Sequence, residues 1–245
     1  MRSGNPALNE KSFERFDVYA HAQTMTIDGT VIKTGMLLSL VVIAAAFTWN
    51  QFVQAPAAAM PWIFGGGIAG FVLALVTIFK AKWSPVTAPM YAVAEGLFLG
   101  GISAMYNTSV YEGIVLQAIC LTFGTLFSLL IAYQTGWIRA TENFKLGVCA
   151  ATGGIFMVYM LSMILGFFDV AIPFIHEAGM IGIGFSLFVV VIAALNLVLD
   201  FDFIEQGAAR GAPKYMEWYG AFGLMVTLVW LYLEILRLLS KLNRR

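Results

Sequence analysis

The chain has 245 residues, no net charge, 60% hydrophobic and only 11% charged side chains, with a mean hydropathy of +0.83. A soluble domain carries about 25% charged residues, and so much apolar surface cannot be kept from water, so the solvent must be lipid. The few, scattered basic residues exclude a nucleic-acid partner.

Residues 1–33 form the one sizeable polar segment, with Arg2, Lys11, Arg15 and Lys33 against Glu10, Glu14, Asp17 and Asp28. They read as a cytosolic N-terminal arm, and residues 34–245 as one transmembrane domain. No short apolar core with a small-residue cleavage site opens the chain, so no cleaved signal peptide is expected.

A spanning helix needs about 20 mostly apolar residues. Seven such runs follow the arm, roughly at Gly35–Phe52, Pro61–Phe79, Ala88–Tyr106, Gly113–Tyr133, Leu146–Phe167, Met180–Asp202 and Trp218–Leu239. Inside lipid the backbone must satisfy its own hydrogen bonds, so each reads as a helix. The expected fold is all-α and polytopic. The intervening connections are short, carry Pro or Gly, and leave no room for a soluble domain. Cys120 and Cys149 lie within apolar runs and read as small buried residues; neither a disulfide framework nor a zinc spacing exists.

Lysine and arginine collect on one side. The arm has four, the connections after spans 2, 4 and 6 have two each (Lys80 and Lys82, Arg139 and Lys145, Arg210 and Lys214), and those after spans 1, 3 and 5 have none. The positive-inside rule puts the N-terminus in the cytoplasm. Arg237, Lys241, Arg244 and Arg245 then lie outside, unless the last segment crosses incompletely.

Small residues crowd several spans, as in "GGGIAG" at 65–70, "GLFLGG" at 96–101 and "GVCAATGG" at 147–154. Such patches let membrane helices approach closely. They are not phosphate loops, because no Gly-Lys-Ser/Thr follows and no strand precedes.

Three acids lie within spans, where an ionisable group is costly and faces a cavity or a partner. Glu95 is six residues past Pro89, roughly 9 Å along the helix, and is expected to face the bundle interior. Glu234 has Arg237 three residues on, within side-chain reach. In "NLVLDFDFIEQG", Asp200 shares a helical face with Asn196, whereas Asp202 sits with Glu205 and Gln206. Asp200 with Asn196 reads as an inward polar stripe and Asp202 as part of the water-facing rim; the plainer alternative is that all three acids mark the helix end.

Hydrolytic chemistry finds little support. A membrane serine protease needs a histidine base, and the only histidines are His21 in the arm and His176 in an exterior connection. The Tyr-Asp and Gly-x-Gly-Asp motifs of aspartyl membrane proteases are absent. The chain is not expected to be an enzyme and shows no call for a cofactor.

"EGLFLGG" in the third span, "NLVLDFDFI" ending the sixth, and "GAPKYMEWYGAFGLMVTLVWLYLEILRLL" in the last resemble the Bax inhibitor family (transmembrane Bax inhibitor motif or YccA-like proteins), in its bacterial branch. The resemblance implies a seven-helix bundle with the seventh helix central. It implies a pH-sensitive calcium leak in the bacterial cytoplasmic membrane, with Asp200 and Glu234 as the sensing and gating pair. Glu95, Asn196 and Asp202 would face the pore, and Glu95, Asp200 and Glu234 would offer weak calcium contacts. Membrane lipid, calcium ions and a membrane protease are the implied partners. Two rival readings remain: a non-catalytic regulator of that protease, and a proton-coupled cation exchanger. Two carboxylates sharing a low-dielectric site titrate as a coupled pair. Yet 34 residues separate Asp200 from Glu234. If helix 7 starts near Gly220, Glu234 is roughly 21 Å deep while Asp200 is roughly 10 Å in from Gly207. An interfacial or re-entrant helix over residues 213–225 would bring their depths together.

Overall fold

The computed structural model describes residues 24–166, 168 and 179–243. The arm through residue 23, His176 and the two terminal arginines lie outside the described residues. Among the described residues seven α-helices follow in chain order: α1 (Ile27–Gln54), α2 (Pro56–Phe79), α3 (Ser84–Ser109), α4 (Ile114–Gln134), α5 (Glu142–Gly166), α6 (Met180–Ala209) and α7 (Met216–Asn243). Each is long and apolar enough to cross a membrane, and together they make an all-α polytopic membrane protein. The outer faces carry large apolar side chains such as Phe71, Leu146 and Ile181, as a lipid-facing surface requires.

The helices outrun the apolar stretches that signal them. Helix α1 begins at Ile27 rather than near Gly35, because Thr26 caps it: the Thr26 hydroxyl accepts the Gly29 N–H at 3.0 Å. That hydroxyl satisfies one of the orphan donors of the first turn. Only Ala55 separates α1 from α2, and Pro56 then opens α2, at a position whose missing N–H costs nothing. Helix α6 ends at Ala209, and just past its cap Gly211 has a φ of 65°, which suits a residue without a Cβ. The chain reverses within Arg210–Tyr215 into α7.

Helix α7 is the central element. It packs against α6, α1, α4 and α3, and its two sides build two separate cores. Ala221, Phe222, Met225 and Val229 join Leu37 and Val41 of α1 and Tyr91 and Leu99 of α3. Leu228, Leu231, Ile235 and Leu236 join Ala118 of α4 and Leu197 and Phe201 of α6. Helix α2 lies behind α1 and α3, while α5 leans mainly on α6 and buries only Val148 and Ile155 as apolar residues.

Three expectations are corrected. Residues 216–243 form one continuous helix, so no re-entrant or interfacial break occurs over 213–225. The last helix also runs the whole length of the bundle rather than stopping part-way: it starts beside Ser84 of α3, whose hydroxyl donates to Tyr215 O at 3.0 Å, and ends beside the start of α6, where Lys241 Nζ donates to Gly182 O at 3.0 Å and Ser186 Oγ at 2.8 Å. Arg237 and Lys241 are taken up by partners inside the bundle rather than forming a free basic tail. Cys120 and Cys149 are likewise not buried; both are exposed on the outer surface.

Candidate functional site: acids around the seventh helix

Asp200 projects from α6 towards α7. Its carboxyl is hydrogen-bonded by Thr227, and a Cβ at Gly223 would lie 3.9 Å from its Oδ1. Its Oδ2 is buried and has no hydrogen-bond partner among the described residues. A buried carboxylate oxygen without a donor is costly, which singles this group out.

Glu234 is placed quite differently. Only 2% exposed, it accepts the Tyr159 hydroxyl of α5 at 3.0 and 3.1 Å and Arg237 Nη1 at the same two distances. Arg237 also donates to the Tyr159 oxygen at 2.6 Å and lies 5.1 Å from that ring's centroid. Both carboxylate oxygens are satisfied. Thr227, which meets Asp200, is seven residues before Glu234, about 10 Å along the helix. The structure therefore does not bring the two acids together.

Asn196 donates its amide to Thr152 Oγ1 of α5 at 2.9 Å and, one turn back along α6, to Ile192 O at 2.8 Å. Asp202 points to another side, accepting Lys145 Nζ at 2.9 Å and Gln206 Nε2 at 2.6 Å. Glu205 accepts the Tyr133 hydroxyl. Asp202 and Glu205 thus border the mouth of a cavity of about 780 Å³ among α1, α4 and α6.

Glu95 sits in the seam between α2 and α3. A Cβ at Gly70 would lie 3.0 Å from its Oε2, and it hydrogen-bonds with Tyr91, whose ring meets Phe222 of α7 edge-on at 5.1 Å. Glu95, Asp200 and Glu234 accordingly occupy three different seams. Among the described residues no three acidic, histidine or cysteine side chains converge as a metal site.

One buried acid escaped sequence reading. Glu217, in the first turn of α7, is 0% exposed. It accepts Thr26 N at 2.9 Å and Thr26 Oγ1 at 2.8 Å, and pairs with Lys33 and, at 2.8 Å, Lys214. It ties the start of α1 to the start of α7. "KYMEWYG" shows the lysine three residues earlier, but nothing local shows Thr26 or Lys33.

A family model described as Bax inhibitor 1 like matches residues 5–244. No curated protein matches the chain, and no solved structure does.

Proposed function

Since this chain belongs to the Bax inhibitor 1-like family, we propose that it is a passive, calcium-permeable leak whose gate responds to the proton on Asp200. The observation that carries this reading is the unpartnered Oδ2 of Asp200, buried between α6 and the central α7. A neutral carboxyl fits that dry seam. Among the described residues an ionised one has the Thr227 hydroxyl alone to compensate it, and a poorly compensated buried charge costs several kcal/mol. Ionisation of Asp200 therefore loosens the α6–α7 seam, admits water and opens the path, and protonation closes it. Flux rises with pH.

Glu234 has a supporting role in this scheme. Bound by Tyr159 and Arg237, it holds α5 against α7 near the end remote from the arm. Asp202 and Glu205 line the cavity at the arm end, where Asp202 is held by Lys145 and Glu205 by the Tyr133 hydroxyl. The alternation of Lys and Arg sets this end in the cytoplasm, with bacterial cytoplasmic membrane as the setting. The path needs neither catalysis nor a resident cofactor.

Liposomes holding the purified protein and a calcium dye test the proposal across a pH series. A leak passes calcium without a proton gradient, whereas an exchanger requires one. A regulator of a membrane protease shows no flux, and its effect on the protease survives neutralisation of Asp200.

A further inference from the structure

Helices α1 and α4 form the two walls of a long crevice, closed at its arm end by α6 and Leu224 of α7 and at its remote end by α7 and α3. Its arm-end half is the cavity of about 780 Å³, and its remote half a cavity of about 390 Å³. Leu38 of α1 and Phe123 of α4 line both halves, so they mark the waist of one continuous groove. The arm-end half runs along α1 from Ile27 to Leu38. Eleven residues rise roughly 16 Å, close to half of the roughly 30 Å hydrocarbon core. This half therefore matches the depth of a single leaflet, and its volume lies within the range of sites that hold a small ligand.

The charge at its mouth is uneven. Arg139, on the connection between α4 and α5, borders the cavity. It is exposed and forms none of the ion pairs found among the described residues. The acids nearby are already engaged, Asp202 by Lys145 and Glu205 by the Tyr133 hydroxyl. Two residues before Arg139, Trp137 is 88% exposed, as befits an aromatic side chain at the level of lipid headgroups. A guanidinium unpaired among the described residues thus stands, at headgroup level, over an apolar slot one leaflet deep.

We propose that the arm-end half of this crevice is a binding site for one anionic phospholipid. Its phosphate lies on Arg139, where a guanidinium recognises phosphate by paired hydrogen bonds. One acyl chain descends between α1 and α4 as far as Leu38 and Phe123. Basic pockets between membrane helices hold lipid headgroups in this way. The bound lipid fills a gap between two helices that the protein's own side chains leave open. The proposal does not rest on the leak, although the lipid shares the mouth bordered by Asp202 and Glu205.

Gly35 supplies a clean test. It lines the cavity, and a Cβ added there meets nothing within 4 Å, so the side chain of Gly35→Phe leaves the helix without a clash and projects into the slot. The detergent-purified full chain is offered phosphatidylglycerol or phosphatidylcholine, and bound lipid is counted by native mass spectrometry. Wild type retains one phosphatidylglycerol. Gly35→Phe loses retention of both lipids at least tenfold. Arg139→Gln loses about fivefold of the preference for phosphatidylglycerol, as expected for one basic residue, while Arg210→Gln, a like change of charge at the same end of the bundle, keeps it. Equal retention by wild type and Gly35→Phe overturns the proposal. So does an unchanged preference in Arg139→Gln, or a wild type that holds no lipid and instead forms a dimer that Gly35→Phe disrupts.

Discussion

Asp200 and Glu234 face different neighbours at different levels of α7: the first meets Thr227, the second Tyr159 and Arg237, about 10 Å farther along. Groups this far apart with no shared partner act almost independently. In calcium-flux assays, the effects of Asp200→Asn and Glu234→Gln should therefore add in the double variant. A double variant no worse than either single one would show that the two acids work as a unit.

Glu234→Ala should destabilise the protein by roughly 1–3 kcal/mol, since it strips Arg237 and the Tyr159 hydroxyl of their common acceptor. Thermal melts in detergent would detect this, and Tyr159→Phe should cost less because Arg237 remains on the carboxylate. Equal melting of Glu234→Ala and wild type would remove Glu234 from its supporting role.

Glu217→Ala should release the start of α1. Lys33 and Lys214 are 17% and 48% exposed and can recover some hydration, so the loss is about 1–3 kcal/mol rather than that of a fully buried pair. Hydrogen exchange should quicken at the first turn of α1 and leave α4 unaltered. Unchanged protection around Thr26–Thr30 would contradict the assigned latch.

The glycines of the third span should differ sharply from those of the fifth. A Cβ at Gly96 would lie 2.5 Å from Val41 O, and one at Gly100 would collide with the backbone of Ala45. Gly100→Val should cost about 1–3 kcal/mol by forcing α1 from α3. Gly154→Val, with nothing within 4 Å of its Cβ, should be nearly neutral. Similar melting temperatures for the two variants would refute this reading of the α1–α3 contact.

These contrasts mark how far the sequence could be read. All seven spans were visible, because each carries about twenty apolar residues and the backbone in lipid has no other way to bond. Their ends were not, since caps such as Thr26 and prolines such as Pro56 act outside the apolar stretch. Small-residue patches announce close helix contacts in general. Only packing reveals that Gly96 and Gly100 make them while Gly153 and Gly154 face open space. Asp200 and Glu234 stood out as acids within spans, whereas their partners Thr227 and Tyr159 looked like ordinary span residues. Glu217 stayed hidden because Lys33 lies 184 residues away.

The central claim is that the proton on Asp200 controls the leak, and the pH profile of calcium flux in Asp200→Asn and Asp202→Asn liposomes tests it most directly. An asparagine at 200 cannot ionise, so flux should become low and flat across the pH series. Asp202→Asn, which alters only the arm-end mouth, should keep the rise of flux with pH. A wild-type pH response in Asp200→Asn, or its abolition by Asp202→Asn alone, would contradict the account.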